Sequence, residues 1–146
     1  MFDVCVWYKL PDTHGLSRLV RQYSSKLDTP AFDAHITIMS RLNNKQASEV
    51  VNNYKSIETP TFKVYGEPYS TYRNKFASIQ VDLLENGIKT DHHVSLAYRL
   101  NKEFTRKEVS LVNIPNLRSF NIIQGSDLKI VQMDCYEFNP TYWVRM

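Results

Sequence analysis

The apolar positions of this chain change period several times, and each change marks an element. Residues 2–9, FDVCVWYK, are β-branched and aromatic and stop at Leu10-Pro11-Asp12, a strand followed by a break. Leu16, Leu19, Val20, Tyr23 and Leu27 then recur at helical spacing, which predicts a helix from about 13 to 26, capped by Asp12 or Thr13 and ended by Asp28-Thr29-Pro30. A strand follows at 33–41, and Ala47, Val50, Val51 and Tyr54 carry a second helix to about 55. Beyond Thr59-Pro60 the pattern predicts a strand at 61–66, a loop or irregular strand at 67–74, and a cleanly alternating strand, FASIQVDLL, at 76–84. Asn86-Gly87 is a hairpin signal, followed by a strand at 91–99. Thr105-Arg106-Lys107-Glu108 is a capping box that opens a short helix, 106–113. The segments 119–123 and 127–138 close the chain as a hairpin around Gln124-Gly125-Ser126, and the aromatic tail 139–146 packs back on the body. The predicted order is β-α-β-α-β-β-β-α-β-β in one domain spanning 1–146.

Inside this pattern one phrase occurs twice: His35-Ile36-Thr37-Ile38-Met39-Ser40-Arg41-Leu42 and His93-Val94-Ser95-Leu96-Ala97-Tyr98-Arg99-Leu100. Strand side chains alternate faces, so His35 and Thr37 share one side while Ile36 and Ile38 take the other, and the second copy sorts the same way. Each strand is thus expected to bury an aliphatic face and present an imidazole and a hydroxyl roughly 7 Å apart on the other. The offset of 58 residues between the copies implies a duplicated α+β unit: two pseudo-symmetric lobes of antiparallel sheet facing across a groove, with helices packed outside. Arg41 and Arg99 share the parity of the histidines but stand further along, as strand-end surface charges or, less simply, as clamps for distal phosphates.

Composition narrows the setting. With 42% hydrophobic and 23% charged residues the chain reads as an ordinary soluble globule. A net charge of +3 favours an anionic ligand, but no dense Lys/Arg run marks a nucleic-acid coat. No targeting segment and no stretch of ~20 apolar residues is seen, so a cytoplasmic protein without membrane partner is expected. Cys5 and Cys135 read as reduced core thiols, which could meet only if the first and last strands are neighbours. A metal site is not expected: His92 and His93 point to opposite faces of a regular strand, and no HExxH or CxxC spacing accompanies them. His14 is expected at an exposed helix start.

Two imidazoles and two hydroxyls on facing strands suit phosphodiester chemistry. One histidine takes a proton from the attacking oxygen, the other gives one to the leaving oxygen, and hydroxyls donate to the non-bridging phosphoryl oxygens. No cofactor is needed. A single His-x-Thr arises often by chance and a lone histidine is usually structural; two copies in matched strand phrases weigh toward catalysis.

The paired His-x-Thr and His-x-Ser phrases, with Val6-Trp7-Tyr8-Lys9-Leu10-Pro11 and Phe32-Asp33-Ala34 before the first, resemble the 2H phosphoesterase superfamily and look most like its cyclic phosphodiesterase branch. That resemblance implies the two-lobed fold, His35 and His93 as the acid/base pair, Thr37 and Ser95 as phosphate ligands, and Trp7 as a groove-wall aromatic. It implies a metal-independent phosphodiesterase acting on a nucleotide, cyclic (di)nucleotide or short RNA-like substrate with a 2′-linked or 2′,3′-cyclic phosphate, working as a monomer without an obligate protein partner. Many members insert a helix before the second motif; here FASIQVDLL runs through ENGIKTD directly into HHVSLAY, which implies a more open groove. Compact viral relatives degrade 2′-5′ oligoadenylates or cyclic-nucleotide signals, which would put a viral member in the host cytoplasm. The alternative is a non-catalytic RNA- or nucleotide-binding module on the same scaffold, its bases stacked on the tyrosines of 65–72, with Tyr72 the candidate contact.

Overall fold

Elements form largely where the apolar period places them. The computed structural model describes residues 4–55, 60–112, 122–123, 129–135 and 143–145, the last three segments as backbone. In order they are β1 (Val4–Lys9), α1 (Gly15–Leu27), β2 (His35–Leu42), α2 (Asn44–Lys55), β3 (Phe62–Arg73), β4 (Phe76–Glu85), β5 (Ile88–Leu100), α3 (Arg106–Val109), β6 (Ile122–Ile123), β7 (Lys129–Cys135) and β8 (Trp143–Arg145). This is an α+β fold, and no helix among the described residues is long and apolar enough to cross a membrane. The Gln124-Gly125-Ser126 turn and most of the 139–146 tail lie outside the described residues.

All eight strands belong to one sheet, in the order β6-β3-β4-β5-β2-β1-β7-β8, with every pairing antiparallel. The expectation of two separate sheets is corrected here. The histidine strands β2 and β5 lie side by side at the centre and are bridged at Ile36–Val94. Both of these side chains are fully buried in the same core. Pairing the strands at that point buries them together and leaves neither strand as an open edge.

The core lies on one face of the sheet. Leu16, Leu19, Val20 and Tyr23 of α1 pack with Ile36, Val94, Leu96, Ile79 and Val81. Ala47, Val50 and Val51 of α2 pack on Val4, Val6, Ile38 and Leu42. The opposite face carries the histidines.

Two local expectations change, the cap of α1 and the end of α3, and two that were left open are decided. Residue His14, not Asp12 or Thr13, caps α1, its Nδ1 accepting from Leu16 N at 3.0 Å. Of the two readings of 67–74, the irregular strand is the one found: β3 runs through it, and the irregularity falls between Tyr65 and Tyr69, where the register against β4 slips. Gly66 (φ 80°) and Pro68 are absorbed in that bulge, the setting in which a strand tolerates a residue without an N–H. Asn74 and Lys75 (φ 53° and 63°) then form the tight turn to β4, as Asn86-Gly87 (φ 49° and 81°) do between β4 and β5. Cys5 stands opposite Met133 of β7, so the first strand and the Cys135 strand are neighbours. The short helix α3 ends at Val109 rather than 113.

Both histidine strands also carry a bulge three residues after the histidine. In β2, Thr37 faces Trp7 and Met39 faces Val6, leaving Ile38 as the extra residue. In β5, Ser95 faces Gln80 and Ala97 faces Ile79, leaving Leu96 extra. Such a bulge turns consecutive side chains to one side and reverses the parity beyond it.

Candidate active site

Each histidine is held by the chain just before it. His35 Nδ1 lies 2.7 Å from Asp33 O, and His93 Nδ1 lies 3.3 Å from Asp91 O. A carbonyl only accepts, so in both rings Nδ1 carries the proton and Nε2 is the nitrogen with a lone pair to offer or a second proton to give. The sequence already spells this relation as Asp-x-His-x-Thr and Asp-x-His-x-Ser. Because the contact is through the backbone carbonyl, however, neither aspartate stands out as a functional side chain.

The bridge at Ile36–Val94 fixes how the two phrases meet. Continuing its register by one residue each way sets His35 opposite Ser95 and Thr37 opposite His93. Imidazoles therefore occupy one diagonal of a small rectangle and hydroxyls the other, with Cα atoms on a diagonal about 7–8 Å apart. Ser95 is buried and Thr37 half-buried. Neither hydroxyl has a hydrogen-bond partner among the described residues.

The two rings differ in environment. The side chain of Trp7, itself buried, stacks on His35 with centroids 3.5 Å apart and planes at 14°, and Phe32 meets the ring edge-on at 6.3 Å. His35 is 5% exposed. Burial pushes its pKa down to about 4, against the opposing pull of the Asp33 carbonyl and with a further small push from His93. An indole face favours a cation by about 0.5–2 kcal/mol. That is less than the roughly 3 kcal/mol that such a downward shift represents, so the neutral ring prevails. His93, by contrast, is half-buried.

No family model, curated protein or solved structure matches this chain.

The remaining candidates sort clearly. Trp7 belongs to the histidine face as the wall of His35. Tyr72 does not: it stands opposite the core residue Ala77, on the other face. The β3 tyrosines at histidine-face register positions are Tyr69, opposite Gln80, and Tyr65, opposite Asp82. His92 turns to the core side, against Phe62, Thr90 and Glu85, and does not converge with His93. Arg41 is exposed at φ 57°. Arg99 lies beyond the Leu96 bulge, which reverses its parity. It faces the core side, 4.2 Å above the Phe104 ring, and forms a two-pronged ion pair with Glu108 at 2.6 and 2.8 Å.

Three residues beside the second motif escape the pattern reading: Gln80, opposite Ser95; Asp82, opposite His93; and Tyr69, bonded to both Gln80 and Asp82. Their alternation with Ile79, Val81 and Leu83 shows that Gln80 and Asp82 leave the core. Only the register reveals what they stand beside.

Proposed function

We propose that this protein is a metal-independent phosphodiesterase of the two-histidine kind. It hydrolyses a 2′-linked or 2′,3′-cyclic phosphate in a nucleotide, cyclic (di)nucleotide or oligonucleotide. The observation that carries the reading is the pair of imidazoles on adjoining strands bridged at Ile36–Val94, each with Nδ1 tied to the carbonyl two residues back and each with a hydroxyl two residues on that has no partner among the described residues. A structural histidine needs one satisfied nitrogen; it does not need a matched partner.

In this reading His35 is the general base, because burial keeps it neutral. Water attacks phosphorus while His35 Nε2 takes its proton. The P–O bond to the leaving ribose oxygen breaks, and His93 supplies that oxygen's proton. Thr37 and Ser95 donate to the non-bridging oxygens, where charge is redistributed in the transition state. Exchange with water restores both rings. Proton transfer and hydrogen bonding serve every step, and none is assigned to a metal.

The sheet order supports reading the molecule as two pseudo-symmetric halves. Outward from the centre, β5-β4-β3-β6 is matched by β2-β1-β7-β8, and the two phrases share their Asp-x-His start and their bulge position.

The test is product analysis by chromatography and phosphorus NMR in EDTA, with a 2′,3′-cyclic nucleotide, a 2′-5′ oligoadenylate and a 2′,3′-linked cyclic dinucleotide. Wild type is expected to cleave at least one. His35→Ala and His93→Ala are each expected to lose at least ~10²-fold, and the double variant little more, since the two act in one proton relay. Undiminished turnover in the double variant overturns the reading, and tight binding without turnover by wild type moves it to a binding module.

A further inference from the structure

The histidine face continues past β5 onto β4 and β3, where its polar side chains are wired in one direction. Tyr69 Oη donates to Asp82 Oδ1 at 2.5 Å, because a carboxylate can only accept. With its proton committed, the phenol oxygen accepts from Gln80 Nε2 at 2.8 Å. Gln80 Oε1 accepts from Ser78 Oγ at 3.2 Å, and the Ser78 oxygen accepts from Thr71 Oγ1 at 2.7 Å. Four donors in series thus end on a single oxygen. Its twin, Asp82 Oδ2, has no hydrogen-bond partner among the described residues, although Asp82 is half-buried. Held on one oxygen and partly open to solvent, this carboxylate can exchange water for a donor carried by a bound molecule.

What surrounds it says which kind of molecule brings that donor. Asp82 stands opposite His93 on one side and opposite Tyr65 on the other. Residues Tyr65 and Tyr69 are 51% and 38% exposed, and Lys89 Nζ lies 5.4 Å from the Tyr65 ring centroid. Exposed tyrosines, an acceptor-only group opposite His93 and an ammonium over the outer tyrosine make a surface suited to a nucleoside and its next phosphate.

We propose that this strip is the nucleoside subsite of the phosphodiesterase read above, and it rests on that reading. The nucleoside next to the scissile phosphate stacks on Tyr69 and Tyr65 and donates an N–H or O–H to Asp82 Oδ2. The wired chain holds Asp82 and keeps Tyr69 from offering its own proton, so the site selects ligands that carry a donor.

The test uses the full chain carrying His35→Ala and His93→Ala, its fold checked by circular dichroism, so that affinity is read without turnover. Calorimetry compares 2′,3′-cyclic AMP with the 2′,3′-cyclic phosphate of purine riboside, whose base edge carries neither the amine nor any N–H, and with the 5′-deoxy analogue of 2′,3′-cyclic AMP, which lacks the remaining ribose hydroxyl. Adding Asp82→Asn is expected to weaken 2′,3′-cyclic AMP by about 10- to 100-fold, the range for a hydrogen bond to a charged group. One analogue binds weakly from the start and is indifferent to Asp82→Asn; which one it is names the donor as base amine or ribose hydroxyl. Tyr69→Phe, which keeps the ring and loosens Asp82, is expected to give a smaller loss on the same ligands, and Tyr69→Ala a loss on all three. A common shift of all three ligands by Asp82→Asn and Tyr69→Phe, or no shift, overturns the subsite. Wild-type turnover without donor discrimination overturns the subsite alone. Discrimination by a wild type that turns over nothing overturns the phosphodiesterase reading alone, and absence of binding overturns both.

Discussion

His35 and His93 share a tether but not an environment, and that difference has consequences in pH. With its pKa lowered to about 4 by burial, His35 stays neutral in the folded state down to a pH at which the unfolded chain, titrating near 6.5, already binds a proton. Above about pH 6.5 its stabilisation is fully present; as pH falls from about 6.5 to 4 it is lost, roughly 3 kcal/mol in all. Urea midpoints between pH 7.5 and 4 are therefore expected to fall more steeply for wild type than for His35→Gln, which carries no titrating ring; parallel slopes would refute the assignment. For the same reason, the acid limb of kcat/KM is expected near pH 4. Trp7→Leu opens one side of the ring to water and moves that limb upward, with a loss of stability in the range of about 2–5 kcal/mol for a large core truncation. If the limb lies near 6.5 in wild type and does not move in Trp7→Leu, His35 is not the base.

Bulges decide which parts of each strand could be read from sequence. Parity places His35, Thr37, His93 and Ser95 on one face because all four precede the extra residues Ile38 and Leu96. Past those residues it fails. Arg99 leaves the histidine face for Glu108, whose carboxyl the guanidinium holds down at about 2. Neither bulge is marked by glycine or proline, so no local signal announces it. In β3 the Gly66-Glu67-Pro68 cluster is visible, but it fits a loop and an irregular strand equally, so it sets no phase for the tyrosines: Tyr69, not Tyr72, reaches the histidine face. The element-scale prediction follows from Arg99. Arg99→Met breaks the ion pair and the support of the Thr105–Glu108 capping box, at about 1–2 kcal/mol, measured by thermal or urea unfolding. It is expected to leave KM unchanged for both short and long substrates; a KM that rises with substrate length would return Arg99 to the phosphate-clamping role.

For the molecule as a whole, the strand order could be anticipated only in part. The hairpin β4–β5 follows from Asn86-Gly87, and a pair of histidine strands follows from the repeated phrase. That these strands adjoin, and that β1 lies between β2 and β7, rests on long-range pairing that periodicity does not encode. The middle strands β3, β4 and β5 pair with neighbours in sequence, whereas Lys9 of β1 pairs with Lys129 of β7, about 120 residues later. Closing so long a loop is slow relative to forming hairpins. In pulsed hydrogen exchange during refolding, amides of β3–β5 are thus expected to become protected before those paired between β1 and β7; the reverse order would contradict this picture.

The same topology bears on synthesis. Synthesis reaches β7 about 120 residues after β1, so the half of the sheet that holds His35 is sealed by two segments far apart in the chain. A nascent chain can carry both histidines and still lack that pairing. The strand bearing Trp7 gains its second neighbour only once β7 has been made, and any stop codon beyond the second motif but before β7 leaves both histidines encoded while removing it.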